Sequence, residues 1–163
     1  MLDITSCMTS DSETPFREGS EIVDAVIVGG GIAGLGAALL LARARRSTLV
    51  YDAGHSRILA AERVRELVGF DGWTPNAMLT KAREEVLRYG AQIRSGIVTK
   101  IESRSDGLFD VFAPDLTITA RSVVLATGLI DELPPLKGLR KVWGRDLRIC
   151  PCFDEMKSGT NAS

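Results

Sequence analysis

"VIVGGGIAGLGAALLLARARRSTLVYDAG", residues 26–54, decides the fold. A short β-branched run over residues 21–28 predicts a buried strand. Residues 29–31 are a glycine turn, and residues 32–46 predict a helix, apolar on most sides and therefore buried. A second strand is predicted over residues 48–51, with Asp52 at its tip. The spacing Gly29-x-Gly31-x-x-Gly34 has one physical purpose at each glycine. The first lets the chain turn off the strand. The second leaves the backbone bare, so that a pyrophosphate can approach it. The third lets helix and strand lie close together. The positive end of the helix and its free N–H groups then attract phosphate. Asp52 follows Gly34 by about 18 residues, where a carboxylate accepts hydrogen bonds from both ribose hydroxyls of an adenosine. It also repels a 2′-phosphate, so the pattern favours FAD or NAD over NADP.

Composition bounds the rest. The chain has 163 residues, enough for one domain with a real core. The apolar share is 45%, the charged share 25% and the net charge −1, an ordinary globular balance that points to no nucleic-acid partner. No apolar run approaches the roughly 20 residues that cross a bilayer, so no membrane partner is expected. Residues 1–21 are acidic and serine-rich, and read as a disordered polar tail rather than a secretory leader or transit peptide. Three cysteines are too few for a disulfide-built scaffold, which makes the cytoplasm the expected compartment. His55 is the sole histidine and has no second ligand nearby, so no metal site is read and it is assigned to a loop.

Farther along, residues 59–68 can hold a short helix. Thr74 and Pro75 suit the cap and first position of another helix over residues 76–89, ended by Gly90. Residues 91–103 read as one or two strands, Ser105-Asp106-Gly107 as a tight turn, and two alternating runs follow around Val111 and Ile118. Residues 121–126 end in a further buried strand. The predicted class is α/β: a Rossmann-like domain whose parallel sheet carries a helix on each face. A small antiparallel meander is inserted before the last strand. A ligand is expected at the carboxyl ends of the strands.

Three runs carry a resemblance. Residues 23–54 resemble the FAD-binding start of the two-dinucleotide-domain flavoprotein reductases, and more closely of the thioredoxin-reductase-like flavoproteins. "RVRELVGFDGWTPNAMLTKAREEVLRYGAQI", residues 63–93, looks like that group's glycine-containing loop and following helix. "VVLATGLIDELPPLKGLRKVWGRDLRICP", residues 123–151, is similar to its Ala-Thr-Gly turn and the run beyond it, and is the most specific of the three. The resemblance implies FAD as cofactor, held by Gly29, Gly31, Ile32, Ala33, Gly34 and Asp52, and by the small-residue turn Ala126, Thr127 and Gly128. Arg57 either contacts a phosphate or adenine in the family's manner or is a solvated loop arginine. Val98 either presents its backbone to the adenine or is a core valine, and both can hold at once.

The group commonly carries a Cys-x-x-Cys pair after "WGR", exchanging electrons with flavin and a dithiol or disulfide. Here Cys150 fits, but Cys152 comes one residue early. A disulfide across one residue is strained, which raises its reduction potential without forbidding it. Cys150 and Cys152 are thus candidate catalytic residues, against a reading as two exposed thiols; Cys7 lies in the tail and is read as inert. The resemblance stops at Pro151, so residues 22–151 read as a partial FAD-binding domain and 152–163 as an unstructured tail. The expected function is FAD-dependent dithiol–disulfide exchange on a small-molecule dithiol or disulfide, with closure of disulfides in secondary metabolites one specific form of it. A homodimer is among the arrangements the resemblance allows. The alternative is a truncated, inactive flavin-binding remnant without the NADPH domain. A single-domain NAD dehydrogenase fits poorly, since neither Tyr51 nor Tyr89 has a lysine four residues on.

Overall fold

The carboxyl ends of three adjacent parallel strands come level with one another, and this places everything else. A computed structural model of the chain describes residues 22–144, 146 and 147. Strand β1 (Val23–Val28) is followed by helix α1 (Ile32–Arg43), β2 (Thr48–Asp52), a 3-10 turn (Arg57–Ala60) and helix α2 (Pro75–Arg88). Then come β3 (Gln92–Ser95), β4 (Lys100–Ser103), β5 (Phe109–Phe112), β6 (Thr117–Leu125) and the single turn α3 (Leu139–Val142). The six strands form one sheet in the order β3-β2-β1-β6-β5-β4. Strands β3, β2, β1 and β6 are parallel, whereas β4, β5 and β6 run antiparallel.

Strand β1 lies between β2 and β6. Val23, Val26 and Ile27 are fully buried, as a strand covered on both faces requires. Val28 pairs with Tyr51 on one side and with Leu125 on the other, so the chain leaves β1, β2 and β6 at one level. One face of this sheet, carrying Ile27 and Val50, packs with Leu35 and Ala38 of α1 and with Met78, Leu79 and Val86 of α2. The opposite face, carrying Val26, Leu49 and Tyr51, packs with Val111, Leu116 and Ile118. The expected helix on each face is therefore corrected. Both helices share one face, and the apolar side chains of the meander cover the other.

Three further expectations are revised. The last arm of the meander and the final parallel strand are one continuous strand, β6. No Gly or Pro interrupts residues 117–125, and Ala120 pairs with Phe109 on one side and Val23 on the other. Helix α1 is buried on one face only, with Leu40 69% exposed. The short helix expected over residues 59–68 reduces to the 3-10 turn. The cap of α2 is as expected: the Ala77 N–H donates to Thr74 Oγ1 at 3.3 Å, with Pro75 leading the helix.

Tyr51 is buried under the meander, its hydroxyl 3.4 Å from Asp115 Oδ1, and Arg94 holds the other carboxylate oxygen at 3.0 Å. Burial pushes the phenol up to about 12 and the Asp115 charge adds to this, partly opposed by Arg94. The folded state thus favours the neutral phenol. That contribution is complete below pH 10, the ordinary tyrosine value, and is lost as pH rises through about 12. In Tyr89→Phe, which leaves one tyrosine, the phenolate absorbance of the folded protein should rise near pH 12. A rise near pH 10 without loss of helical circular dichroism would show that this phenol is not buried.

Candidate functional site

A cleft of about 740 Å³ opens at the carboxyl ends of β1, β2 and β6. It is lined by residues 29–33 of the glycine turn, by Asp52, Ala53 and residues 55–58 after β2, and by residues 125–130 at and beyond the end of β6. Of the residues singled out in the sequence, Gly29, Gly31, Ile32, Ala33, Asp52, Arg57, Ala126, Thr127 and Gly128 all line it. Gly34 does not, and instead packs beneath it. Val98 lies between β3 and β4, packs with the core under the meander and is absent from the lining; its neighbour Ile97 is present. His55 and Ser56 also line the cleft. Cys150 and Cys152 lie outside the described residues.

The glycines of the turn have different causes. Gly29 adopts φ +113°, and a Cβ there would collide with the Ala126 carbonyl oxygen. A Cβ on Gly34 would collide with the Gly29 carbonyl oxygen, so the helix and turn touch through bare backbone. A Cβ on Gly30 would occupy the space of the Asp52 carboxylate. Gly30 was not singled out from the sequence, although the unbroken glycine triplet was the available signal. Gly31 is the exception. Its φ of −76° and ψ of −177° suit any residue, and an added Cβ would make only an ordinary contact with Ser56 Oγ at 3.5 Å. Neither backbone nor packing requires a glycine at position 31.

Gly31 caps α1 without a side chain, and the first turn carries no acid. The first helical hydrogen bond runs from the Leu35 N–H to the Gly31 carbonyl at 2.9 Å. The N–H groups of Ile32, Ala33 and Gly34 thus have no partner within the helix, and its positive pole lies at the cleft.

Asp52 ends β2 with its side chain 13% exposed. The Gly54 N–H donates to Oδ1 at 2.9 Å, and Arg83 Nη2 donates to Oδ2 at 2.6 Å. Burial pushes the carboxyl up. Donation from the Gly54 N–H, the Arg83 guanidinium and the Gly30 N–H outweighs it and holds the group below the ordinary carboxylate value. Arg83 sits on a different helix, and nothing in the local sequence announces the pair.

Arg57 makes a two-pronged ion pair with Asp131: Nε to Oδ2 at 2.8 Å and Nη2 to Oδ1 at 2.7 Å. It ties the segment after β2 to the segment after β6, bridging the end of β1 between them. The Arg57 hydrogen bonds hold the Asp131 carboxyl below its ordinary value. Arg57 is thus engaged by protein, neither free in solvent nor unpaired. Beyond Thr127 the lining becomes apolar and exposed, with Ile130 90% accessible. Among the described residues, no helix is long and apolar enough to cross a membrane.

Comparison with known proteins places this geometry. A model of the pyridine nucleotide-disulphide oxidoreductase family matches residues 23–162, extending past Pro151, where the resemblance read from the residues stopped. A probable thioredoxin reductase of Arthroderma benhamiae is 35% identical over 80% of this chain and 34% of its own length. Thioredoxin reductase tcpT of Claviceps purpurea is 33% identical over 80% of this chain and 42% of its own. Among solved structures, HlmI superposes with a TM-score of 0.76 at 37% identity, covering 80% of this chain and 42% of that one. A putative thioredoxin reductase TrxB of Bacillus anthracis does so with 0.71 at 30% identity, over 76% and 42%. The chain therefore spans about two fifths of the length of these relatives, or less. Family match, relatives and fold agree: the chain belongs to the pyridine nucleotide-disulphide oxidoreductase family, on the thioredoxin-reductase-like side of it.

Proposed function

We propose that this chain holds the adenosine and pyrophosphate half of FAD, in an oxidoreductase of the thioredoxin-reductase type that exchanges dithiols and disulfides. The observation that carries the reading is Gly31. Its missing side chain has no structural cause, yet it lies in the cleft beside helix amides that have no helical partner. A phosphate resting on bare main chain supplies the cause. The ionised Asp52 carboxylate, one strand over, suits the ribose hydroxyls. The apolar rim at residues 129–130 suits an uncharged, flat part of a ligand. Flavin, when bound, supplies a two-electron relay between a nicotinamide and a disulfide. The protein's part is to bind and orient it.

In this reading Cys150 and Cys152 are the exchanging pair. Their two thiols open a substrate disulfide and close to a protein disulfide, and the substrate leaves as a dithiol; the reverse exchange oxidises a dithiol. Relatives named thioredoxin reductases support a disulfide as the substrate class. A small-molecule dithiol is the finer form, tested against thioredoxin itself. A chain that binds flavin without turning over is the second reading, separated from the first by how the bound flavin responds to a dithiol.

Two experiments test this. Purified full-length chain should take up FAD, seen as flavin absorbance that persists after gel filtration. Gly31→Val should keep the fold, losing about 1 kcal/mol as a poorer helix cap, yet bind FAD at least tenfold more weakly, whereas Gly34→Val should lose the fold. Equal FAD binding by Gly31→Val and wild type would remove the central support. Anaerobic addition of a small dithiol should then bleach the flavin, and Cys150→Ser should abolish bleaching. Flavin that binds but is bleached by neither a small dithiol nor reduced thioredoxin would favour the second reading.

A further inference from the structure

Arg83 is in an unexpected place. On α2 the side chains of Leu79 and Val86 are buried against the sheet, and position 83 lies between them at helical spacing, on the same stripe. An apolar residue would be expected there, since an arginine drawn toward a core is costly unless it is paired. Its partner is Asp52, at 2.6 Å. Arg83 is absent from the lining of the cleft, whereas Asp52 is part of it. The guanidinium therefore meets the cleft through the carboxylate.

We propose that Arg83 is a positioning residue for nucleotide binding: from α2 it fixes the Asp52 carboxylate as an ionised acceptor in one orientation for the ligand's sugar hydroxyls, without touching the ligand. This rests on the reading of the cleft as an adenine-dinucleotide site. A carboxylate has about four lone-pair positions. Gly54 takes one on Oδ1, Arg83 takes one on Oδ2, and the Gly30 N–H also donates to the group. The donors come from three separate segments, so the carboxylate cannot rotate without breaking contacts, and Asp52 itself lines the cleft. Arg83 is the only charged group among the three. Without it, burial works against ionisation, and two main-chain N–H groups remain to oppose it. Among the described residues, the other charged or titratable side chains lining this cleft are Arg57, committed to Asp131, and His55 on the segment after β2.

The probe is ADP-ribose, whose diphosphate carries no proton that titrates near neutrality, measured by calorimetry on the full chain. Because His55 also lines the cleft, the pH profiles are compared in a His55→Gln background, where affinity with Arg83 intact should be flat between about pH 5 and about pH 8, above the range of an ordinary carboxylate. Arg83→Met should bind about tenfold more weakly at neutral pH, the size of one charge-assisted hydrogen bond, and should weaken further as pH falls. Arg83→Lys should recover most of the affinity and the flat profile. In an Asp52→Asn background, Arg83→Met should change affinity by less than about twofold, because the residue it acts through is gone. An equal loss in both backgrounds would mean that Arg83 contacts the ligand or merely supports the fold, and would overturn the proposal. So would unchanged binding by Arg83→Met. If Arg83→Met fails to fold by circular dichroism, Arg83→Gln, which keeps a donor but no charge, replaces it with the same pH-dependent loss expected. Absence of ADP-ribose binding by wild type would overturn the nucleotide reading itself, and this inference with it.

Discussion

Everything at the carboxyl edge of the sheet depends on one close approach of backbone to backbone. The Ala126 carbonyl presses on Gly29, and the Gly29 carbonyl presses on Gly34. Three segments thus touch without side chains between them: the turn after β1, the first turn of α1 and the end of β6. The Gly29 N–H donates to the Tyr51 carbonyl at 2.8 Å, and the Ala126 N–H to the Val28 carbonyl at 2.8 Å, which stitches β2 and β6 into the same junction. With the helix held this close, its positive pole opens into the cleft. With a side chain at either contact it would be pushed away. A Cβ on Gly31, free of both contacts, would meet only Ser56 Oγ, at 3.5 Å.

Charge completes what the backbone begins. Two ion pairs, each with one member in the cleft lining, join distant parts of the chain: Asp52 with Arg83 and Arg57 with Asp131. The first pair ties the tip of β2 to a helix. The second ties the loops that follow β2 and β6. Neither lies within one helix or one hairpin, so both restrain the position of one segment relative to another. Burial opposes ionisation in each, and the guanidinium partner outweighs it at Asp131 while sharing that task with main-chain N–H groups at Asp52.

Much of this was legible in the residues, because it is local. The strand, glycine turn, helix and acid over residues 26–54 follow from spacing, and the cap of α2 from two adjacent residues. The features that escaped depend on tertiary placement. Which face a helix covers is set by the handedness of the crossovers and the curl of the sheet, so both helices fell on one side while the sequence allowed either. The continuity of β6 was hidden because the alternating pattern around Ile118 changes where the strand passes from one partner to another. In the site, Gly30 and Arg83 were missed for opposite reasons. Gly30 serves a side chain that arrives from the next strand. Arg83 reads as an ordinary polar position on a helix until its neighbour across the fold is known. Asp131 stood inside a recognised run, but its role needed Arg57, 74 residues earlier in the chain.

Strand β6 has a consequence for how the molecule is made. Its first half completes a hairpin with β5, joined by a tight local connection, and its second half completes the parallel sheet beside β1, the earliest strand described. The hairpin can form as soon as its own residues are available. The parallel pairing must wait until Leu125 has emerged, and it closes a loop of roughly ninety residues, a separation of the kind that slows folding. Until then the apolar flank of β1 has no neighbour, so a nascent chain would pass through a sticky interval that ends only when one late strand arrives to serve both halves of the sheet.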